Sequence, residues 1–386
     1  MQIKKTSTTN SNNIIQPLEI EENCFGVYFK GKFIFDNLAK ACTGSSLAWN
    51  HSEIFEDEKY TYLSLYLKGK DISSFSSNPE LLFAYRDLLE SQKKAAITAK
   101  VDLSEMCFLD ILPDHLLKKW FSERDDAMRN AARRVARPSD YEILHKIHVL
   151  VSKISKNKLK VNNSLESIRY DIFGSATGRL STKRGSYPIL SINKQERANI
   201  QPQNDMFLEL DLNGAEIRTL LSLCGKEQPD YDIHEFNKNV AARDLVTRQE
   251  VKARFFAWLY NPEAKDYSLE KLYNKNIYKK YYKNGQIETP FGRKLEVDER
   301  KALNYLTQST TSDIVLESAY KIMKFLKDKK SFVAFTMHDS VVLDFCKEEH
   351  YLVKEIKDIF ETNMFGKFLS TVNIGKNYGN LKEIKI

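Results

Sequence analysis

The stretch FLELDLNGAEIRTLL, residues 207–221, predicts a core strand joined directly to a helix, because a strand pattern in it passes without a break into a helix pattern. Leucines alternate with Glu209 and Asp211, so a strand would bury the leucines on one face and place Asp211 on the other. A carboxylate held between a core strand and a helix start is suited to a hard cation such as Mg²⁺. An aspartate at a strand end is also common as a turn or capping residue, so this stretch alone leaves both interpretations open.

A second carboxylate lies in SFVAFTMHDSVVLDF, residues 331–345, where two apolar β-type runs flank a polar tip. This pattern predicts a hairpin with His338 and Asp339 at its turn. Asp344 has the opposite parity to Asp339, so the two are not expected to share a site. Two aspartates that meet at one sheet edge, Asp211 and Asp339, are what a two-metal phosphoryl-transfer site requires.

The segment VTRQEVKARFFAWLYNP, residues 246–262, predicts one complete helix. Thr247 and Glu250 form a capping-box pattern, and an Asn-Pro pair ends the segment. Four side chains, each four residues apart, share one face: Arg248, Lys252, Phe256 and Tyr260. Cations in the first turns oppose the helix dipole, which suggests an anionic ligand such as a triphosphate, although an ordinary amphipathic helix remains the alternative.

Length and composition bound the class of protein. The 386 residues suggest two to three domains, and 42% hydrophobic with 29% charged residues fits a soluble globular protein rather than a collagen-like or disordered one. The net charge of +7 permits a polyanionic partner without requiring one. Five cysteines without a Cys-x-x-Cys pair argue against a disulfide scaffold or a structural zinc. No apolar run is long enough to predict a membrane span.

Upstream of these segments, strand-like runs at 22–70 give way to helical patterns at 79–135 and 141–161, with a boundary near residue 138. Basic side chains recur at helical spacing or in a short run: Arg129, Arg133, Arg134, Arg137, Lys156, Lys158 and Lys160. They would suit phosphate contacts or a solvated surface equally well.

Four further segments complete a set: FGSATGRLST (173–182), DIH (232–234), TPFGRKL (289–295) and ALNYLTQSTTSDIV (302–315). In order and spacing, the whole set over about 165–345 resembles the polymerase module of family-A DNA polymerases, the bacterial DNA polymerase I type, in a compact phage-like form. The resemblance implies an α+β fold, a right hand with an antiparallel palm sheet, helical fingers and a helical thumb, plus a small N-terminal α/β region. The expected ranges are a disordered tail at 1–20, an N-terminal region at 21–114, thumb at 115–165, palm at 166–227 and 301–386, and fingers at 228–300.

The resemblance also implies the chemistry of template-directed DNA synthesis, in which a primer 3′-hydroxyl attacks the α-phosphate of a deoxynucleoside triphosphate. Asp211 and Asp339 would hold two Mg²⁺ ions, and Leu212 would offer its backbone carbonyl to metal. Lys252 would stabilise developing charge, and its position permits it to protonate the leaving pyrophosphate.

Binding roles follow from the same resemblance. It implies nucleotide binding by Arg248, Lys252, Phe256, Tyr260, Glu216 and His234. Within that set, Glu216 would exclude a ribose 2′-hydroxyl and Tyr260 would stack at the insertion site. It implies primer–template contacts by Arg179, Asn304, Gln308 and His338, and the basic-aromatic run at 273–285 is suited to template contact or to a solvated helix.

Two departures from the family pattern keep alternatives open. Asn261 replaces a glycine after the finger helix, and Ser340 replaces the usual glutamate of the His-Asp-Glu motif. The His-Asp-Ser form resembles that of single-subunit phage RNA polymerases. An RNA polymerase, or a sugar-lax polymerase that discriminates weakly between ribose and deoxyribose, is therefore an alternative. Ser340 and Gly214 support this alternative, and Glu216 opposes it. An alternative of another class is a catalytically weak nucleic-acid-binding subunit.

Residues 1–160 contain no Asp-x-Glu exonuclease motif on a strand, so we expect no proofreading by this chain. The N-terminal part is then a degraded exonuclease fold, a thumb with additions or a docking surface for a separate exonuclease. The expected partners are primer–template DNA, deoxynucleoside triphosphates and a separate exonuclease or processivity factor, with no membrane. The expected location is the cytoplasm, that of the host cell for a phage protein, with an organelle as the alternative.

Overall fold

The computed structural model describes most of the chain from residue 72 onward. The described residues are 2–3, 15–20, 23–29, 32–34, 72–100, 123, 126, 127, 130, 131, 133, 134 and 138–386 without 163, 242–246 and 262. The chain divides into two compact units, Met1–Pro138 and Ser139–Ile386, at the predicted boundary near residue 138. The candidate site lies wholly in the second unit.

The described strands and helices have the following bounds. The strands are β1 Gln2–Ile3, β2 Ile15–Ile20, β3 Asn23–Phe29, β4 Lys32–Ile34, β5 Leu159–Val161, β6 Ser164–Glu166, β7 Tyr170–Asp171, β8 Ser181–Thr182, β9 Ile200–Gln201, β10 Met206–Leu212, β11 Tyr282–Lys283, β12 Gln286–Glu288, β13 Lys294–Glu296, β14 Phe332–Met337, β15 Ser340–Phe345, β16 Thr362–Asn363, β17 Gly366–Lys367, β18 Ser370–Gly375 and β19 Lys382–Ile384. The α-helices are α1 Pro79–Thr98, α2 Tyr141–Lys156, α3 Ala215–Leu223, α4 Ile233–Ala241, α5 Arg248–Tyr260, α6 Ala302–Phe325 and α7 Val353–Glu361. Short 3₁₀ helices lie at Ile72–Phe75, Glu196–Asn199, Leu269–Lys271, Lys275–Lys280, Glu299–Lys301 and Lys347–Leu352.

An antiparallel sheet with strand order β14-β15-β10-β18-β19 forms the centre of the second unit. Strand β10 lies in its middle, and its alternation is as predicted: Leu208, Leu210 and Leu212 are buried, whereas Glu209 and Asp211 are only partly covered. The predicted hairpin is also confirmed, since β14 and β15 pair antiparallel on either side of the turn at 338–339. A mixed helix and strand fold with antiparallel sheets is therefore confirmed.

The long helix α6 packs against this sheet and against three other helices, α2, α3 and α7. Small polar side chains on α6 let neighbouring elements approach closely, as where Thr311 donates to the Thr219 hydroxyl of α3 at 2.9 Å. Helix α3 follows β10 directly, as predicted. Helix α5 begins with the predicted capping box between Thr247 and Glu250 and ends at Tyr260, with Asn261 as its C-cap.

Three expectations need correction. The helix predicted over 141–161 ends at Lys156, because Leu159–Val161 pairs with β6 and β9 instead. The insertion at 228–300, predicted to be helical, contains the three-stranded sheet β11-β12-β13 as well as helices. Residues 15–20, assigned to a disordered tail, form β2, because their backbone pairs with β3.

Helix α1 confirms the predicted helix after residue 79, and β3 and β4 confirm strands within 22–70. Part of the helical pattern at 115–137, including Arg129 and Arg137, lies outside the described residues. Within the described part of the chain, no helix combines the length and the apolar character needed to cross a membrane.

Candidate active site

Asp211 and Asp339 lie on adjacent strands at the same end of the sheet. Asp211 is the register partner of Ser340 across β10 and β15, so Asp339 is one residue from it. The Leu212 N–H donates to the Asp339 carbonyl at 3.3 Å and extends the ladder into the turn. The sheet therefore brings together the two carboxylates that the sequence predicts to meet.

The Asp339 carboxylate lies close enough to Asp211 to act on it electrostatically. The pKa of Asp211 is raised to about 7, first because it is largely desolvated and then because Asp339 and Glu209 add negative charge. Lys252 works against this rise, so its ammonium lies near enough to interact with Asp211. By contrast, Asp344 accepts the Gln203 and Asn204 backbone N–H groups at the other end of β15, in agreement with its predicted exclusion from the site.

Helix α5 presents the predicted stripe. Arg248 and Lys252 are exposed on its first turns, while Val251, Phe255, Trp258 and Leu259 bury the opposite side. The rings of Phe256 and Tyr260 stack, with centroids 5.6 Å apart and planes 12° apart. The aromatic part of the stripe is thus a stacked pair that begins one helical turn after Lys252.

Glu216, in the first turn of α3, is held from two sides. The Tyr260 hydroxyl donates to Glu216 Oε2 at 2.5 Å, and Arg179 forms an ion pair with the other carboxylate oxygen. Gln308 also hydrogen-bonds the Tyr260 hydroxyl. Desolvation and the Glu216 carboxylate raise the pKa of Tyr260 to about 12, so this phenol stays protonated and can donate.

A cleft of about 260 Å³ joins this cluster to the sheet edge. Its lining comprises Arg179, Glu216, Thr311, Ser312, His338 and Asp339. His338 is exposed at the hairpin turn and has a φ of 53°. Four predicted residues from three separate motifs therefore line one cleft, and one of them, Asp339, belongs to the carboxylate pair.

His234 lies at the start of α4 and is buried. Burial and the cation Arg248 lower its pKa to about 4, so the imidazole is neutral at physiological pH. Its Nδ1 atom is buried and has no hydrogen-bond partner among the described residues. The nearby Asp232 carboxylate accepts from the Arg248 guanidinium at 3.0 and 3.2 Å, which brings the Asp-Ile-His segment against α5.

The structure does not join every predicted residue to this cluster. Asn304 lies one helical turn before Gln308 on α6, and its Oδ1 atom is buried without a partner among the described residues. The basic-aromatic run forms a 3₁₀ helix at Lys275–Lys280 followed by β11, rather than an α-helix. In that run, the Tyr278 hydroxyl donates to Glu299 at 2.8 Å.

Sequence reasoning missed three residues that support the site: Asn213, Arg218 and Asp232. Arg218 is fully buried and donates to the backbone carbonyls of Asn213, Pro229 and Tyr231. A signal for Asp232 was present, since an aspartate directly before a helix is a typical N-cap. No comparable signal marks Arg218, because an arginine inside an apolar helix gives no indication of its partners.

Gly214, in the turn between β10 and α3, provides a test of this local packing. We expect Gly214→Ala to lower the free energy of unfolding by about 2 kcal/mol or more, because its φ is +60° and a Cβ atom would lie 2.4 Å from Ile233 Cγ2. Urea denaturation measures the change. Gly225→Ala is the matched control, since Gly225 has a φ of +70° but no atom within 4 Å of its Cβ position. An equal loss in both variants would contradict the close contact with Ile233.

Comparison with known proteins gives a partial relative among curated proteins and distant likenesses among solved structures. No family model matches the chain. A DNA polymerase of Bacillus phage SP01 is 40% identical over 101 residues, which represent 23% of this chain and 11% of that protein. The chain therefore spans about a tenth of the length of this relative. The POL domain of Pol1 from M. smegmatis, solved in complex with a DNA primer-template and dNTP, aligns over 83% of this chain and 70% of that one with a TM-score of 0.46 and 15% identity.

Proposed function

We propose that this chain is a template-directed DNA polymerase of family A that adds deoxynucleotides to a primer 3′ end. The observation that carries the proposal is the pairing of Asp211 and Asp339 at one sheet edge, with Lys252 of α5 near enough to act on Asp211. The partial similarity to a phage DNA polymerase supports the same activity. Together they favour an enzyme over a catalytically weak binding subunit.

The carboxylate pair fits a divalent cation. Asp211 and Asp339 repel each other at the sheet edge, and a cation between them would relieve that repulsion. Among the described residues no group of three or more His, Cys, Asp or Glu side chains forms a metal site, but Mg²⁺ is commonly held by one or two carboxylates together with substrate phosphates. We therefore propose Asp211, Asp339 and the Leu212 carbonyl as ligands for two Mg²⁺ ions. When bound, the metal would supply Lewis-acid activation of the primer hydroxyl and neutralisation of the leaving phosphates.

The side chains of α5 and α4 would bind the nucleotide. Arg248 and Lys252 carry positive charge toward the triphosphate, and neutral His234 is able to donate a hydrogen bond to a phosphate oxygen without adding charge. Phe256 and Tyr260 offer stacked rings to the sugar and base. Lys252 is the proposed proton donor to pyrophosphate, because it is the cation that also acts on Asp211.

The cleft would hold the primer end and the incoming sugar. Arg179, Asn304, Gln308 and His338 are proposed to contact primer and template, where minor-groove acceptors are shared by all base pairs. The exposed His338 ring is consistent with such contacts. Ser340 is buried below this surface, and its hydroxyl donates to the Met337 carbonyl at 3.1 Å, so it is occupied within the hairpin.

In this proposal residues 166–227 and 301–386 form the palm, 228–300 the fingers and 115–165 the thumb. Proofreading is expected to come from a separate exonuclease, and a processivity factor is a further proposed partner. The proposed location is the cytoplasm, that of the host cell for a phage protein.

Primer extension on a DNA template with Mg²⁺ tests the proposed function. We expect the protein to extend the primer with deoxynucleotides and to require the divalent cation. Tight primer–template binding without extension by either deoxynucleotides or ribonucleotides would support a binding subunit instead. Robust extension with ribonucleotides would favour the RNA polymerase or sugar-lax alternative.

Glu216→Ala is expected to weaken the preference for deoxyribose. Tyr260 and Arg179 hold the carboxylate at the cleft, where it would collide with a 2′-hydroxyl, so its removal should reduce the ratio of kcat/KM for dNTP over rNTP by about a hundredfold. Steady-state extension with each sugar measures this ratio. Glu227→Ala, a change at an exposed glutamate after α3, serves as the control. An unchanged ratio in Glu216→Ala would contradict the assigned role.

A further inference from the structure

The Arg248 side chain is held by one edge of its guanidinium. Its Nε and Nη2 atoms both donate to Asp232 Oδ2, at 3.2 and 3.0 Å. A guanidinium carries five N–H donors, so this contact uses two and leaves three. Although the Arg248 side chain is about half exposed, its ion pair with Asp232 holds it in one orientation.

Asp232 is itself held by a network of hydrogen bonds that starts next to β10, the strand that carries Asp211. Its Oδ1 atom accepts the backbone N–H groups of His234 and Glu235 at 2.8 and 3.0 Å and so caps α4. Its Oδ2 atom also accepts from Asn213 Nδ2 at 2.6 Å. Asn213 is two residues after Asp211, which ties the Asp232 carboxylate to the turn that ends β10.

A buried cation completes this support. Arg218, fully buried in α3, donates from Nη2 to Asn213 Oδ1 at 3.2 Å and from Nε to the Asn213 carbonyl at 2.8 Å. Asn213 Oδ1 also accepts the Ile233 N–H at 2.9 Å, next to Asp232. Direct hydrogen bonds therefore connect Arg218 to Asn213, Asn213 to Asp232, and Asp232 to Arg248.

We propose that Asp232 is a positioning residue for Arg248, which it fixes relative to the Asp211 strand before the nucleotide arrives. This inference rests on the proposed function and adds a residue to it. A long arginine side chain loses rotamer freedom when it binds a phosphate, and an arginine already held in place loses less. The nucleotide triphosphate would then meet the three remaining donors of Arg248 without first ordering the side chain.

Desolvation would by itself raise the pKa of Asp232, but hydrogen bonds from Arg248 and Asn213 outweigh it and lower the pKa to about 2. The carboxylate is thus charged at any pH at which the enzyme would be assayed. Its negative charge would also repel a triphosphate, so tighter nucleotide binding by a neutral Asp232 variant would mean that this repulsion exceeds the benefit of a positioned Arg248.

The same helix offers a matched ion pair away from the site. Arg254 of α5 donates to Asp266 at 2.6 and 3.1 Å, and Asp266 Oδ1 accepts two backbone N–H groups at the start of a 3₁₀ helix, as Asp232 does for α4. Asp266→Asn therefore makes the same chemical change in the same kind of cap. It controls for any general effect on α5.

The experiment measures binding of the complementary deoxynucleoside triphosphate to the protein on a primer–template whose primer ends in a dideoxynucleotide, so that no bond forms. The variants are Asp232→Asn, Arg248→Ala, the double variant and Asp266→Asn. Asparagine remains a good N-cap, so α4 is expected to stay intact. We expect Asp232→Asn to raise the Kd for the nucleotide about fivefold and Asp266→Asn to leave it unchanged.

The double variant separates positioning from a structural effect. If Asp232 acts through Arg248, the double variant should bind no more weakly than Arg248→Ala alone. A further fivefold rise in the double variant would overturn the proposal, as would wild-type or tighter binding by Asp232→Asn. If the wild-type protein itself neither binds the nucleotide nor extends a primer, the proposed function fails and this inference fails with it. If the wild-type protein extends the primer but Asp232→Asn binds normally, the inference alone fails.

Discussion

Asp339→Asn is expected to lower the rate of primer extension at least about a thousandfold, which corresponds to about 4 kcal/mol of lost transition-state stabilisation. Asparagine keeps the shape of the side chain but removes its negative charge, so that Asp211 is the one carboxylate of the pair that remains at the sheet edge. Because Asp339 lies in the hairpin turn and its backbone carbonyl makes the contact to Leu212, the substitution should leave the fold intact. Single-turnover extension with saturating nucleotide measures the loss.

Asp205→Asn is the matched control for that experiment. Asp205 directly precedes β10 at the far end of the sheet, is exposed, and accepts the Lys347 N–H through Oδ2 at 2.7 Å. An asparagine keeps an acceptor there, so extension should match wild type. Extension by Asp339→Asn within tenfold of wild type, with an unchanged Tm, would remove the carboxylate pair from the proposed mechanism.

The parts of this fold that could be predicted are those in which a local pattern and the tertiary structure agree. The β10 to α3 transition has a period-two pattern followed by a helical one, and the side of the strand that carries Asp211 follows from parity alone. The capping box at Thr247 fixed the start of α5 in the same way. Such features depend on neighbours in sequence, so a single sequence contains them.

The parts that could not be predicted depend on partners distant in sequence. Residues 159–161 continue a basic helical pattern but form a strand because β6 and β9 are available to pair with them. Likewise, Arg218 looks like one polar residue in an apolar helix, and only the folded chain shows the carbonyls around it. The candidate carboxylates could thus be found from sequence, whereas the network that supports Arg248 required the structure.

Asp313→Asn is expected to lower the free energy of unfolding by about 3–5 kcal/mol, because it breaks a buried ion pair from one side. Arg293 Nη2 lies 2.5 Å from Asp313 Oδ1, and both side chains are almost fully buried. Burial raises the pKa of Asp313, and the Arg293 guanidinium works against that rise. Without the carboxylate, the buried guanidinium would lose the charge of its ion-pair partner. Equilibrium denaturation in urea measures the loss.

Two further variants test whether the buried charge of Arg293 causes the expected loss of stability in Asp313→Asn. Replacing both partners, Arg293→Met with Asp313→Leu, should cost less than Asp313→Asn alone, since the buried guanidinium is removed together with the carboxylate that offsets its charge. Glu348→Ala breaks the exposed pair with Lys330 and should leave the free energy of unfolding close to that of the wild type, because solvent screens this pair. The Arg293 guanidinium also lies beside Gly178, next to Arg179 of the cleft, so the single variant should weaken primer binding as well as stability. A double variant less stable than Asp313→Asn would show instead that the pair contributes through packing or geometry rather than through mutual neutralisation.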